Sequence, residues 1–89
     1  MKVWLAYVVY QYDGYYDTAV YSTKDKACDA ADKLVHELRD AGYSTVDWCD
    51  FANFSRDTNE RSQCMVLANN YEGVEISVEM KILDKGMLI

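Results

Sequence analysis

Proline is absent from these 89 residues and only four are glycine. A Pro-rich linker, a collagen-like repeat and a low-complexity tail are therefore all excluded. Long apolar runs are missing too, since no stretch approaches the roughly 20 residues that cross a bilayer as a helix. Met1 to Tyr10 is apolar, but it lacks the positive segment and the small-residue cleavage site of a signal peptide. Cysteine is limited to Cys28, Cys49 and Cys64, odd in number, widely spaced and without a C-x-x-C motif. Reduced thiols in a cytoplasmic protein are the expectation, rather than a disulfide framework. His36 is the single histidine, and it adds no metal-ligand spacing to those thiols. Neither a nucleophile elbow nor a Gly-rich phosphate loop is present. No metal, cofactor or enzymatic activity is expected.

Cations are also in short supply. Nine Lys and Arg stand against fifteen Asp and Glu, for a formal charge of −6. Such a surface repels phosphates, which argues against direct nucleic-acid or anionic-membrane binding and is compatible with a basic protein partner. The same charge also simply keeps a small domain soluble. What the chain has in quantity is apolar and aromatic residues: 51% hydrophobic, with eight tyrosines. That suffices for one domain over residues 1–89 with a single core.

The pattern along the chain predicts an α+β domain, an antiparallel sheet of four or five strands with one principal helix on a face. Val3 to Tyr12 reads as a strand that is apolar on both faces and so lies inside the sheet. Asp13-Gly14 signals a hairpin, with Tyr15 to Tyr21 returning antiparallel. Thr23 to Ala41 reads as an amphipathic helix. Ala27, Ala31, Leu34, Val35 and Leu38 fall on one side, and Asp25, Asp29, Asp32, His36 and Asp40 on the other. Ser22 is the expected N-cap, with Asp25 completing a shortened capping box, and Gly42 the expected left-handed terminator. Leu34 and Leu38 are the expected centre of the helix–sheet contact.

Further strands are expected at Tyr43 to Phe51, Gln63 to Ala68 and Val74 to Ile82. The last of these alternates apolar residues with Glu75, Ser77, Glu79 and Lys81, which predicts one core face and one wet face. Asn53 to Ser62 reads as a loop, or as a short helix started by Ser55 with Asp57 and Glu60. Asn69 to Gly73 reads as a turn. Met87-Leu88-Ile89 is an apolar tail suited to docking on the core or on a partner.

Two groups of residues are candidates for partner binding. The first is the acidic helix face, Asp25, Asp29, Asp32 and Asp40. Carboxylates three and four residues apart on a helix lie about 5–6 Å from each other, a spacing of the order of that between phosphates along a DNA strand. Asp13, Asp17, Asp47, Asp50, Glu75 and Glu79 would extend the row if the fold gathers them. Asp is a poorer helix former than Glu or Lys, so its use there favours a task beyond solvation. The second group is the hairpin, where Tyr12, Tyr15 and Tyr16 interleave with Asp13 and Asp17. Exposed tyrosine beside aspartate suits a protein interface, while cross-strand pairing within the sheet is the competing use.

Taken together, the short chain, the negative charge, the tyrosines, Val3–Tyr12 with Asp13-Gly14, and Ser22-Thr23-Lys24-Asp25-Lys26-Ala27 leading into a helix resemble a known type. These are the small acidic accessory proteins that bacteriophages encode against host machinery, including anti-CRISPR and other anti-restriction proteins. The resemblance covers the first half of the chain and carries over no functional residues. It implies a stoichiometric inhibitor occupying the basic nucleic-acid-binding surface of a host defence protein. The alternative is a self-associating structural or regulatory domain, a homodimer formed through a sheet edge or the apolar tail.

Overall fold

The computed structural model describes residues 1–45 and 54–83. Its elements are β1 (Lys2–Tyr10), β2 (Tyr15–Tyr21), α1 (Lys24–Asp40), β3 (Ser44–Thr45), β4 (Ser62–Ala68) and β5 (Gly73–Ile82). The strands form one antiparallel sheet in the order β2-β1-β5-β4-β3, an α+β architecture with α1 on one face. β1 thus lies inside the sheet, as its two apolar faces demand. No described helix is long and apolar enough to cross a membrane.

Register sorts the side chains. Trp4, Ala6, Val8 and Tyr10 of β1 share a face with Met80, Val78, Ile76 and Val74 of β5, and this face meets the helix. Val8, Val74, Ile76 and Val78 form the core with Met65 and Leu67 of β4, Phe54, and Ala27, Cys28, Ala31, Val35 and Leu38 of α1. Cys28, absent from the predicted helix stripe, is completely buried. Burial pushes its thiol above the usual range, the nearby Arg56 and Lys24 charges opposing only in part. Leu34 is merely half-buried. Leu38→Ala is expected to cost about 2 kcal/mol in chemical denaturation and Leu34→Ala distinctly less, because truncation costs scale with the cavity left behind.

Several local predictions are corrected. The N-cap is Thr23, not Ser22: its backbone is extended and its Oγ1 accepts from Lys26 N at 3.3 Å. Two adjacent hydroxyls compete for the same role, and the one next to the first helical residue takes it. At the other end Gly42 has φ +97. Tyr43 N donates to Leu38 O and Gly42 N to Arg39 O, both at 3.0 Å, the bonding of a Schellman motif. β1 ends at Tyr10, two residues early, because Gly14 N returns to Tyr10 O at 2.8 Å and closes the turn there.

Of the strand expected over Tyr43 to Phe51, the described residues show Ser44–Thr45; Val46 to Phe51, including Asp47, Cys49 and Asp50, lie outside them, as does the Met87–Ile89 tail. Residues 54–61 contain no helix. The supposed wet face of β5 is partly covered: Ser77 is buried, with Glu75 and Glu79 half-buried. β5 lies between β1 and β4, so Glu79 stands opposite Leu5 and Glu75 opposite Val66, and neighbouring side chains shield the acids' stems.

Candidate functional site

α1 turns its apolar stripe onto the sheet and leaves its aspartates beside the segment that leads into β4. There Arg56 meets three of them. Its Nη2 donates to Asp29 Oδ1, its Nη1 to Asp32 Oδ2 at 3.2 Å, and its Nε stands 4.0 Å from Asp25 Oδ1. The Asp29 hydrogen bond, reinforced by Asp32, holds this guanidinium still further above its ordinary range against a smaller effect of burial. Asp32 has a second engagement, its Oδ1 accepting from Phe54 N at 3.1 Å. Its side chain is 28% exposed, against 75% for Asp25 and 71% for Asp29. The negative row predicted from helical spacing is real, but its N-terminal three members share a resident cation. Asp40 and His36 are exposed further along the helix.

The loop carrying Arg56 is pinned at several points. Phe54 inserts into the core and is 1% exposed. Gln63, itself buried, accepts from Ser55 N at 2.7 Å and donates to Ser55 O at 2.5 Å and Thr58 Oγ1 at 3.2 Å. Lys24 Nζ reaches across from α1 to Thr58 O at 2.7 Å and lies 5.3 Å from the centre of the Trp4 ring. Phe54, Arg56 and Gln63 were not singled out from the sequence. A lone aromatic in a polar stretch and a glutamine in an apolar strand phase were the available signals.

The remaining predicted acids are dispersed. Glu75 and Glu79 lie in register on the sheet face away from α1, whereas Asp17 pairs with Val8 on the helix side. Asp13 sits in the β1–β2 turn, exposed.

The hairpin separates its tyrosines into two sets. Tyr10 and Tyr21 pack against the core, and burial, with smaller contributions from Tyr43 and Glu72, pushes the Tyr10 phenol above its usual range. Tyr12, Tyr15 and Tyr16 remain 82%, 58% and 72% exposed. Tyr15 leans on Tyr10 with ring centroids 5.7 Å apart, so it also serves the cross-strand pairing that the sequence left open.

A further tyrosine joins them. Gln11 N donates to Gly73 O at 2.9 Å, which ties the β1–β2 turn to the β4–β5 turn at one end of the sheet. The second turn is shaped by Asn69 Oδ1, which accepts from Tyr71 N and Glu72 N at 2.8 and 2.7 Å, and it holds Tyr71 at 86% exposure. The C-terminus of α1 reaches the same end, since Tyr43 packs on the core with Tyr10 and Ser44 pairs with Ala68. Tyr12, Asp13, Tyr16, Tyr71 and Asp40 therefore decorate one end of the molecule. The sequence marked Tyr71 only as part of a turn.

Beside this end, β2 is the outermost strand, and Tyr15 to Val20 are all exposed. An open groove of ≈ 160 Å³ lies between α1 and β2, floored by Ala6, Val8, Ala19, Ala31 and Leu34, with Asp17 its only charged lining residue. Among the described residues no His, Cys, Asp and Glu group is arranged to hold a metal ion. The geometry is that of a small α+β domain with an aromatic, acidic sheet end. Compared with known protein families, curated proteins and solved structures, the chain matches none.

Proposed function

We propose that this chain is a non-catalytic protein-binding module whose contact surface is the tyrosine-bearing end of its sheet. The observation that carries this reading is the exposure of Tyr12, Tyr16 and Tyr71, each at least 72% accessible, on two turns that a backbone hydrogen bond holds together and on the start of β2 beside them. Large rigid aromatics presented to water on a fixed frame cost little ordering on binding and dominate interface energetics. Asp13, Asp17 and Asp40 around them, with the net charge of −6, select a basic partner and speed its approach. The specific form favoured by that charge is an inhibitor of the phage type, seated on the nucleic-acid-binding surface of a host defence protein. Asp25, Asp29 and Asp32 add to the field but are less free to pair with the partner, because Arg56 already occupies them.

Tyr12→Ala combined with Tyr16→Ala is expected to weaken partner binding at least tenfold while the unfolding midpoint stays unchanged. The check is affinity capture from a bacterial lysate across a salt series, followed by titration calorimetry with the recovered partner. Undiminished affinity in the double variant would remove the sheet end as the binding surface.

A further inference from the structure

We infer that the partner contributes an extended segment which adds as a sixth strand to the open edge of β2, with a lysine or arginine opposite Asp17. This inference rests on the protein-binding reading above and specifies its mode. A strand at a sheet edge presents a row of unpaired backbone donors and acceptors, and folded proteins normally blunt such an edge with lysine, proline, a bulge or a very short strand. β2 has none of these; its one charged side chain, Asp17, points to the helix side and disfavours an acidic neighbour but not a basic one. It is 7 residues long and pairs with β1 in continuous register from Tyr15 to Tyr21. Its sequence, Tyr-Tyr-Asp-Thr-Ala-Val-Tyr, contains neither proline nor a cation.

The outward backbone groups can be placed. Thr18 N donates to the Asp17 carboxylate at 2.8 Å, which marks it as facing off the sheet. By the two-residue period of a strand, Tyr16 and Val20 present their backbone groups on the same open side. Apart from the exposed Asp17 carboxylate on Thr18 N, nothing described covers this edge.

Side-chain chemistry then selects the occupant. On the face away from α1 an incoming strand meets Tyr16, Thr18 and Val20, which suit aromatic or β-branched neighbours. On the helix side it meets Asp17 at the rim of the apolar groove, a place for a cation whose aliphatic stem lies over Ala19 and Leu34. From Val3 to Thr23 the only charged residues are Asp13 and Asp17, so a basic strand encounters no local repulsion. A second copy of this chain fits less well. Antiparallel self-pairing about Thr18 would place the two Asp17 side chains as diagonal neighbours and bring two domains of charge −6 together.

The experiment follows amide hydrogen exchange by NMR on the intact protein, with a short peptide of alternating lysine and valine as probe and a glutamate–valine peptide as control. The expected result is exchange slowed at least tenfold at Tyr16, Thr18 and Val20 with the lysine peptide alone. Thr18→Pro, which removes the outward N–H at a position where edge strands tolerate proline, is expected to abolish that protection. Equal protection by both peptides, protection elsewhere, or concentration-dependent protection without peptide would overturn the inference, the last in favour of a homodimer. If edge protection is absent while Tyr12→Ala with Tyr16→Ala still lowers partner affinity, the strand-addition mode fails and the tyrosine surface stands. If both are absent, both readings fail.

Discussion

Phe54→Ala is expected to destabilise the domain by about 3–5 kcal/mol, the range for truncating a fully buried aromatic. Phe54 is 1% exposed and is the largest fully buried side chain among the described residues, packed with Met65, Leu67 and the apolar face of α1. A single domain of this size has roughly 5–10 kcal/mol of stability in all, and the variant would stand near the edge of folding. Urea denaturation followed by circular dichroism measures the loss. A midpoint shift equivalent to under about 1 kcal/mol would mean that the segment packs loosely against the sheet.

Asp32→Lys is the second large effect, and it falls on stability before it falls on binding. Asp32 accepts from Phe54 N and from Arg56, so the substitution strips an acceptor from the backbone beside the buried aromatic and sets one cation against another. Hydrogen bonds to a charged group contribute about 1.5–3 kcal/mol each. With Asp32 partly open to solvent, a net loss of roughly 2–3 kcal/mol is expected. Asp29→Lys, whose carboxylate is largely exposed, is expected to cost under about 1 kcal/mol. Paired thermal melts of the two variants at low and moderate salt check this contrast. Equal losses would show that Arg56 is held by the helix charge as a whole rather than by Asp32. Charge reversal along this helix therefore tests partner binding most cleanly at Asp40, carries a small folding cost at Asp29 because Arg56 is paired there, and confounds binding with folding at Asp32.

That distinction was not legible in the sequence. Helical periodicity places Asp25, Asp29 and Asp32 on one side of α1, which is local geometry. It says nothing of what lies across from that side. Arg56 is 24 residues from Asp32 in the chain and arrives only because Phe54 has a place in the core to fill. The same limit explains the β5 acids. Alternation puts Glu75 and Glu79 on the face away from the helix, but how much water reaches them depends on Leu5 and Val66 in the flanking strands. Within the hairpin, composition signalled that some tyrosines face solvent, yet which ones was decided by position: Tyr12 sits in the turn, Tyr16 faces away from α1 on the edge strand, and Tyr15 lies on the helix side beyond the cover that Tyr10 and Tyr21 receive.

By itself the sequence determined the class and the rhythm of the fold: one helix of known amphipathic face, a hairpin at Asp13-Gly14, strands from β-branched alternation, and a left-handed stop at Gly42. These depend on interactions between residues a few positions apart, and their energies are set by side-chain chemistry alone. Tertiary structure decided the strand order, the neutralising seat of Arg56, the burial of Cys28 and Gln63, the joining of Tyr71 to the hairpin tyrosines, and the openness of β2. Each of these depends on which distant segments compete for the same apolar surface, and that competition is settled only when the whole core is packed.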